Sequence, residues 1–309
     1  MQSPEISDDE PEADFDQNAD RNAAALIEWA VGEDFLDGRG DLTSDAFIPE
    51  DARGAARFVV RSGGVVAGMP VLRRVVKRFG PGMTFQPLCR DGDRVRPDAV
   101  IARVTGPMRR LLAMERTALN FVQRLSGVAT MTGRFVDAVV GTAATILDTR
   151  KTTPGWRALE KYAVRRGGGR NHRSGLFDAV LIKDNHLAWL SEAGEPDPIV
   201  AAVSAARVHA PAGTVVEVEV DSLEQLDRAL VCRPDIILVD NIGPEGLSEA
   251  VRRRDKQAPG VLLEASGGVT LATVVSLAKT GVDRISVGAL THSAPALDVG
   301  LDFDRTSTP

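Results

Sequence analysis

The sequence has few cysteines and few aromatic residues, and it has no long apolar run. Its two cysteines, Cys89 and Cys232, lack CxxC spacing and nearby ligand residues, which argues against a disulfide framework or a structural zinc site. No apolar stretch approaches the roughly 18 residues that a membrane-spanning helix needs. The first residues have neither the basic segment nor the apolar core of a secretory signal. We therefore expect a cytoplasmic protein.

Negative charge is concentrated at one end of the chain. The 309 residues carry a formal net charge of −6, yet residues 1–20 hold eight acidic residues and no basic one. The other 289 residues therefore have a net charge of +2. Because a segment of like charges with few large apolar groups does not fold alone, we expect residues 1–20 to form a disordered acidic tail.

The following region mixes helical and strand patterns. Residues 21–127 predict a small α+β domain that opens with a helix over Ala23–Val31 and closes with a helix over Leu111–Leu125. On the last helix Leu111, Met114 and Ala118 follow helical spacing, and polar residues line another face. Three short runs between the two helices predict strands, at Ala56–Arg61, Gly64–Gly68 and Ala99–Val104.

After Gly127 the pattern changes to regular alternation of strands and helices. Such alternation predicts a parallel sheet, and six or more βα units favour a barrel or a near-barrel. An open doubly wound sheet is the alternative, although no GxGxxG motif follows the first strand. The predicted strands are Thr145–Leu147, Ala179–Ile182, Val215–Val220, Ile236–Val239, Val261–Leu263 and Arg284–Val287. The predicted helices are Trp156–Arg165, Ile199–His209, Leu223–Val231, Pro244–Lys256 and Leu271–Lys279.

Each of the six predicted strands ends in polar residues or glycine. Catalytic groups of βα barrels lie at the carboxyl ends of the strands, so we expect these residues to share one site. In chain order they are Asp148, Arg150 and Lys151; Lys183 and Asp184; Glu219 and Asp221; Asp240 and Asn241; Glu264, Ser266, Gly267 and Gly268; and Gly288.

Basic residues predict an anion-binding site at this edge. Residues 150–173 hold eight basic residues and one acidic residue, Glu160. A mixture of arginine and lysine suits a substrate with several anionic groups. Arg157, Lys161 and Arg165 follow helical spacing, which indicates a solvated helix face rather than a binding site. Anion binding is assigned to the basic residues at strand or loop ends, which are Arg150, Lys151, Arg173 and Lys183.

The glycines near this cluster have two interpretations. The segment RRGGGRNHR is similar to RNA-binding segments, but it lacks interleaved aromatic residues, and Tyr162 is the only tyrosine. We therefore predict no nucleic-acid partner. The glycines are better interpreted as a loop that brings His172 and Arg173 over a ligand.

The last two strands end in motifs typical of phosphate sites. Ser266-Gly267-Gly268 and Gly288 would let backbone N–H groups approach a phosphate, because glycine has no Cβ to hold it away. Glu219 and Asp240 supply carboxylate oxygens suited to Mg²⁺, to ribose hydroxyls or to a developing positive charge.

At these residues the sequence resembles the quinolinate phosphoribosyltransferase family, the carboxylating nicotinate-nucleotide pyrophosphorylases. The resemblance extends from about Trp29 to Phe303, and the DTRKT, NHRxGL and IKDNH blocks are specific to this family and its near relatives. The matching segments are ERTALNFVQRLSGVAT, LDTRKTTPGWRALEKYAV, GGGRNHRSGLFDAVLIKDNH, VEVEVDSLEQL, LVDNIGPE, LEASGGV and RISVGALTHSAPALDVGLDF.

This resemblance implies an architecture and a reaction. It implies an N-terminal α/β sandwich domain over residues 21–127, completed by residues 291–309, and an incomplete βα barrel over residues 128–290. The implied enzyme is a homodimer or a dimer-based hexamer without a membrane partner. It would use Mg²⁺ to transfer phosphoribose from phosphoribosyl pyrophosphate to quinolinate with decarboxylation, a step of NAD biosynthesis that yields nicotinate mononucleotide, CO₂ and pyrophosphate.

The resemblance also implies roles for individual residues. Arg116, which the residue pattern alone places on a surface, would reach the quinolinate site of the neighbouring subunit. Lys151, Glu219 and Asp240 are the implied catalytic residues, and Glu219 and Asp240 would also hold Mg²⁺. The quinolinate site would consist of Arg116, Arg150, Lys151, His172, Arg173 and Lys183. The phosphoribosyl pyrophosphate site would consist of Lys151, Lys183, Glu219, Asp240, Ser266, Gly267, Gly268 and Gly288.

Three alternative functions stay open at this point. One is a paralogue with the same fold and another substrate, either nicotinate or that of the proteins associated with molybdenum transport operons. Another is an aldolase or decarboxylase that forms a Schiff base at Lys183. The third is a non-catalytic nucleotide-binding protein, against which the intact set of ligand residues argues. The basic residues Arg116, Arg150, His172 and Arg173 favour a dicarboxylate over a monocarboxylate.

Overall fold

The described residues form two compact units. A computed structural model describes residues 15–38 and 40–304. Unit 1 comprises the described parts of Met1–Gly133, Thr152–Gly168 and Ala294–Pro309, and unit 2 comprises Arg134–Lys151 and Gly169–Ser293. Residues 1–14 of the predicted acidic tail lie outside the described residues.

Unit 1 is built on a mixed set of helices and antiparallel strands. Its helices are α1 (Gln17–Phe35), α2 (Leu42–Phe47), α3 (Met69–Arg78), α4 (Met108–Ala138), which continues into unit 2, and α5 (Arg157–Arg166). A 3-10 turn, Leu36–Gly38, follows α1. Its strands are β1 (Arg53–Val60), β2 (Gly64–Val65), β3 (Thr84–Pro87), β4 (Arg94–Val95), β5 (Val100–Pro107) and, from the end of the described chain, β12 (Val299–Phe303).

The main sheet of unit 1 joins both ends of the chain. Its strand order is β12-β1-β5-β3. Strand β1 pairs antiparallel with β12 on one side and with β5 on the other, so Phe58 lies opposite both Leu301 and Ala102. Phe58 is fully buried, and Leu301 is nearly so. The C-terminal strand therefore belongs to the core of unit 1.

Helix α1 begins earlier than the hydrophobic pattern predicts. It starts at Gln17, where the Asp16 side chain accepts hydrogen bonds from the backbone N–H groups of Asn18 and Ala19. Such a cap satisfies amide groups that have no partner within the helix. Ala19 is buried as well. The last four residues of the predicted tail are thus helical.

Helix α5 carries a buried charged network in unit 1. The Glu160 carboxylate, 0% exposed, accepts hydrogen bonds from the Arg124 guanidinium at 2.5 Å and from the Thr153 hydroxyl at 2.9 Å. Lys161 is only 3% exposed. The prediction of a solvated face is wrong at Lys161, which is buried, while Arg157 and Arg165 on the same spacing are half-buried.

Unit 2 alternates strands and helices throughout. Its strands are β6 (Thr145–Leu147), β7 (Val180–Ile182), β8 (Val216–Val220), β9 (Ile236–Asp240), β10 (Leu262–Ser266) and β11 (Arg284–Ser286). Its helices are α6 (Asp184–Glu192), α7 (Pro198–His209), α8 (Leu223–Cys232), α9 (Pro244–Gln257), α10 (Val274–Ala278) and α11 (Ala289–His292).

The six strands of unit 2 form one parallel sheet. Their order is β6-β11-β10-β9-β8-β7, so β6 and β7 are its two edges. This winding, with helices between the strands, is that of an incomplete α/β barrel, as predicted. Parallel pairing places all six carboxyl ends at the same edge of the sheet. No helix within the described ranges is both long and apolar enough to cross a membrane.

Candidate active site

Polar side chains of unit 2 meet at the carboxyl edge of its sheet. Register pairs Asp240 of β9 with Ser266 of β10, and Ser286 of β11 with Leu147 of β6. The segments that follow these strands therefore begin side by side. The structure brings the predicted residues of strands β6 to β11 to one edge of one sheet.

Lys183, which follows β7, and Glu219 on the neighbouring strand β8 form an ion pair. The Lys183 Nζ atom lies 2.7 Å from the Glu219 Oε2 atom, and the side chains are 46% and 15% exposed. Lys183 precedes α6 directly, and its backbone N–H donates to the Nδ1 atom of His186. The Lys183 ammonium group therefore has an acidic partner at the end of β8.

An acidic cavity of about 450 Å³ opens beside Glu219 and Asp240. Helices α6, α7 and α8 contribute its walls, and Asp184 and Asp221 lie in the same lining. Carboxylate oxygens are the ligands that Mg²⁺ prefers. The donor set of Glu219 and Asp240 therefore fits a magnesium ion.

Asn241 connects Asp240 to the predicted phosphate loop. Its Nδ2 group donates to the Asp240 Oδ2 atom at 2.6 Å, and its backbone N–H donates to the Ser266 carbonyl at 3.0 Å. The backbone of Asn241 is left-handed, with φ of 57°, a conformation that asparagine tolerates better than most residues. Gly267 also has a positive φ, 96°, and a Cβ there would lie 2.2 Å from the Asn241 Oδ1 atom. Only glycine fits this close approach.

Lys151 and Gly288 form a second contact at the same edge. The Thr291 hydroxyl donates to the Lys151 carbonyl at 2.8 Å, and a Cβ on Gly288 would lie 3.1 Å from the Lys151 Cδ atom. The Lys151 side chain is exposed, but its backbone is hydrogen-bonded on both sides of Cα. The carbonyl accepts from Thr291, and the N–H donates to the Thr149 hydroxyl. The Lys151 side chain therefore extends from a backbone of fixed position.

The Asn171-His172-Arg173 turn is held by a buried carboxylate at the end of β6. Asp148, 0% exposed, accepts from the Asn171 Nδ2 group at 2.6 Å and from the His172 backbone N–H at 2.8 Å. A carboxylate with two such donors is well satisfied in the interior. The turn therefore has a defined position relative to β6.

The His172 ring is buried against side chains of strands β8 and β10. Its side chain is 8% exposed, and its Nε2 atom lies 3.0 Å from Glu217 Oε2 and 3.4 Å from Glu264 Oε1. Burial lowers the pKa of His172, but the hydrogen bond and charge of Glu217, with the charge of Glu264, outweigh it and raise the pKa overall. Burial, followed by the Glu217 charge, raises the pKa of Glu264, whose Oε2 atom also accepts from Arg284 at 2.6 Å.

His172, Glu217 and Glu264 have the composition of a metal site but not its hydrogen bonding. Their ligand atoms lie within 4.8 Å of one another. However, the Arg173 backbone N–H donates to the His172 Nδ1 atom at 2.7 Å, so Nδ1 is an acceptor and the ring proton is on Nε2. A metal bound at Nε2 would need that lone pair, with the proton on Nδ1. The cluster therefore does not fit a metal ion.

Arg150 and Arg173 place two positive charges close together. Burial and then the Arg150 charge lower the pKa of Arg173. Both side chains are half-buried, and Arg173 also reaches the Ala179 carbonyl at 3.5 Å. Guanidinium groups held near one another are suited to a ligand with more than one carboxylate.

Arg116 belongs to the other unit. It lies on α4 and its side chain is exposed, whereas its helix neighbours Thr117 and Ala118 are buried. The structure thus leaves its guanidinium available at a surface of unit 1.

Glu217 is a residue of the site that the sequence reasoning missed. The burial pattern of VEVEV in β8 shows Glu217 buried at 1% exposure and Glu219 partly exposed. Side chains two residues apart on a strand share a face, so both glutamates point to the same side as the predicted site. The alternation of glutamate with valine was the available signal.

Comparison with known proteins gives matches over nearly the whole described chain. Residues 41–126 match the family described as quinolinate phosphoribosyl transferase, N-terminal domain, and residues 128–302 match its C-terminal domain. A Mycobacterium leprae protein named nicotinate-nucleotide pyrophosphorylase [carboxylating] is 47% identical over 283 residues, covering 91% of this chain and 97% of its own. A Synechocystis protein named a probable enzyme of the same kind is 41% identical over 280 residues, covering 91% and 92%.

Solved structures agree with these matches. The nicotinate-nucleotide pyrophosphorylase from Francisella tularensis superimposes with a TM-score of 0.83 at 37% identity. The match covers 92% of this chain and 96% of that one. Both the sheet domain and the barrel-like domain are therefore shared.

Proposed function

The chain belongs to the quinolinate phosphoribosyltransferase family, and we propose that it transfers phosphoribose from phosphoribosyl pyrophosphate to quinolinate with loss of CO₂. The products are nicotinate mononucleotide and pyrophosphate, and the pathway is NAD biosynthesis. The observation that carries this proposal is the match over 91% of the chain to a carboxylating relative, together with the DTRK, NHR, IKD and SGG segments at one edge of one sheet.

We propose that quinolinate lies between arginine and lysine side chains at this edge. Arg150 and Arg173 pair with its two carboxylates, and Lys151 and Lys183 lie between quinolinate and the pyrophosphate. Two arginines suit a dicarboxylate, because a monocarboxylate would leave one charge without a partner. The substrate is therefore quinolinate rather than nicotinate.

The phosphoribosyl pyrophosphate site is proposed on the strands nearest Asp240. Glu219 and Asp240 accept hydrogen bonds from ribose hydroxyls, and the backbone of Ser266–Gly268 with Gly288 holds the 5′-phosphate. Glu219 and Asp240 would also hold Mg²⁺, which would supply positive charge for the leaving pyrophosphate. Support comes from the cavity beside both carboxylates and from the close packing of Asn241 against Gly267.

The proposed chemistry needs no nucleophilic side chain. The pyridine nitrogen forms a bond to the anomeric carbon as the bond to pyrophosphate breaks, and the pyrophosphate leaves with the electron pair. Positive charge develops on the ribose, where the carboxylates of Glu219 and Asp240 stabilise it. The alkylated ring then accepts the electron pair of the breaking carbon–carboxylate bond, CO₂ leaves, and a proton takes its place on carbon. The protein acts by positioning and by charge.

A direct assay tests this function. The purified protein is incubated with phosphoribosyl pyrophosphate, Mg²⁺ and quinolinate carrying labelled carbon in its 2-carboxylate. We expect labelled CO₂ and nicotinate mononucleotide in equal amounts, and no mononucleotide with nicotinate in place of quinolinate. Turnover of nicotinate without quinolinate turnover would contradict the proposal and favour the paralogue function.

We further propose a homo-oligomer in which Arg116 of one protomer completes the quinolinate site of another. Support comes from the exposure of Arg116 on α4 and from exposed large apolar side chains in unit 1, namely Trp29, Leu42 and Phe47. Mixing tests the arrangement. Arg116→Ala and Arg150→Ala should each be inactive, and their mixture after subunit exchange should regain activity. If the mixture stays inactive although hybrids form, Arg116 acts in its own protomer or not at all.

A further inference from the structure

The geometry around His172 points to a positioning role for this residue. We propose that His172 fixes Arg173 in the quinolinate site and makes no contact with the substrate itself. This inference rests on the proposed function, since Arg173 is taken to bind quinolinate. It changes the role that the family resemblance implies for His172.

Both ring nitrogens of His172 already have partners. Nδ1 accepts the Arg173 backbone N–H at 2.7 Å, and Nε2 donates to Glu217 Oε2 at 3.0 Å. With the side chain 8% exposed, a substrate carboxylate has little of the ring to contact. The ring thus has no N–H left for an anion.

Charge also keeps an anion away from the ring. Glu217 and Glu264 are buried at 1% and 0% exposure, and one oxygen of each lies within 3.4 Å of the Nε2 atom. A substrate carboxylate at Nε2 would have to displace Glu217 and would meet a second carboxyl group there. These contacts therefore hold the imidazole ring in place and disfavour replacement of Glu217 by a substrate carboxylate.

The same contacts fix the backbone next to Arg173. Asp148 holds the His172 backbone N–H at 2.8 Å and the Asn171 side chain at 2.6 Å, and the His172 ring holds the Arg173 N–H. Acidic residues from β6, β8 and β10 thus anchor one short turn. Because Arg173 is the last residue of this turn, its side chain starts from a fixed Cα position, which lowers the entropy cost of binding a carboxylate.

A double-mutant cycle separates positioning from direct contact. Quinolinate affinity is measured by calorimetry without phosphoribosyl pyrophosphate for the full-length wild type, His172→Ala, Arg173→Ala and the double variant. We expect His172→Ala to weaken quinolinate binding about tenfold, and to weaken it less than about twofold further when Arg173 is already alanine. Additive effects of the two substitutions would overturn the inference, because they would show that His172 contacts the substrate independently.

A conservative variant keeps the test valid if the alanine variant does not fold. In His172→Asn the side-chain oxygen can still accept the Arg173 N–H, so we expect this variant to regain most of the affinity. Failure of His172→Asn to bind better than a folded His172→Ala, or than His172→Gln if the alanine variant is unfolded, would contradict the role of Nδ1.

The ring tautomer gives a measurement that does not depend on turnover. Nitrogen-15 spectra of histidine-labelled protein, recorded at a pH above the pKa of His172, should show the ring protonated at Nε2 and not at Nδ1, both with and without quinolinate. A change of protonation on adding quinolinate would overturn the inference. Absence of quinolinate binding by the wild type would contradict the proposed function instead, and the tautomer would still test the hydrogen bonding.

Discussion

Substitution of Lys151 tests most directly whether a side-chain charge stabilises the transition state of the proposed reaction. Its side chain is exposed, so removing it should leave the core intact, yet its carbonyl is held by Thr291 and its stem lies against Gly288. We expect Lys151→Ala to lower kcat/KM roughly 150-fold, a loss of about 3 kcal/mol of transition-state stabilisation, because the departing pyrophosphate loses a fixed positive charge.

The control for this prediction is Lys256→Ala, which removes another exposed lysine from the end of α9. Steady-state kinetics and thermal unfolding of both variants are compared with the wild type. Unfolding temperatures should agree within error. Near-normal turnover of Lys151→Ala would show that the lysine has no part in the reaction.

Glu264 should make the stability of the fold depend on pH. Burial and the Glu217 charge raise its pKa in the folded state above the ordinary value of 4.5. A raised carboxyl pKa stabilises the fold below its unfolded value, and that stabilisation is lost as the pH rises through the folded value. Relative to wild type, Glu264→Gln should therefore gain stability as the pH rises above 4.5, by at most about 1.4 kcal/mol per pH unit.

Urea unfolding at a series of pH values measures this difference. Glu224→Gln, at an exposed position of α8, is the matched control and should follow the wild type at every pH. A constant difference between Glu264→Gln and wild type across the series would mean that Glu264 has the same pKa in the folded and the unfolded protein.

At the scale of elements, the loop after β10 depends on its approach to the loop after β9. Gly267 and Gly268 both have positive φ, but a Cβ on Gly267 would overlap Asn241, whereas a Cβ on Gly268 would meet nothing within 4 Å. Backbone strain for a residue with a Cβ costs about 1–2 kcal/mol at either position. The steric overlap adds to this cost at Gly267 alone.

We therefore expect Gly267→Ala to lower the unfolding temperature more than Gly268→Ala does. The close contact also orients Asp240 through Asn241, so Gly267→Ala should raise the KM for phosphoribosyl pyrophosphate about tenfold or more. Differential scanning calorimetry and kinetics of the two variants are the measurements. Equal effects of the two substitutions would show that Asn241 moves aside without consequence.

The regular elements of unit 2 were largely predictable, and the exceptions have physical reasons. All six strands appear where apolar β-rich runs predict them, because each is buried in a parallel sheet. Helix α6 was not predicted. Leu187 is its only buried residue and Trp189 is 67% exposed, so its sequence has no apolar stripe to detect.

The site was predictable in its outline but not in its supporting contacts. Residues at strand ends can be found from the order of elements alone, since parallel strands share one edge. The hydrogen bonds that Glu217 and Asp148 accept from Asn171 and His172 depend on which face of β8 is interior and on how the NHR turn packs. The prediction that Lys161 is solvated failed for a similar reason, because spacing along a helix does not show which of its sides is buried.

At the scale of the whole molecule, the net charge of −6 does not describe the candidate site. Six of the acidic residues lie in residues 1–14, outside the described residues, while Arg150, Lys151, Arg173 and Lys183 belong to unit 2. Anionic substrates respond to charges within about a Debye length, roughly 8 Å at physiological salt. The local basic residues therefore govern binding.

We expect residues 1–14 and residues 15–20 to differ in their contribution to stability, and two truncations can test this. Removing residues 1–14 takes away six acidic residues and no basic one, so the formal net charge changes from −6 to 0. We expect kcat and both KM values to stay within about twofold of the full-length protein, since the site's anion-binding charges are local. Loss of activity in this truncation would show that the segment takes part in binding or assembly.

Removing residues 1–20 should have a different result. It also deletes the Asp16 cap of α1, the Phe15 contact with the Tyr162 ring at 5.1 Å, buried Ala19, and the Asp20 ion pair with Arg74. A lost cap alone costs about 1 kcal/mol, and the apolar contacts add to it, so we expect a clearly lower unfolding temperature. Thermal unfolding of the two truncations side by side measures this, and equal temperatures would contradict a structural role for residues 15–20. A lower temperature for the longer deletion alone would place the boundary between tail and fold at the start of α1, where the Asp16 side chain satisfies the first amides of the helix.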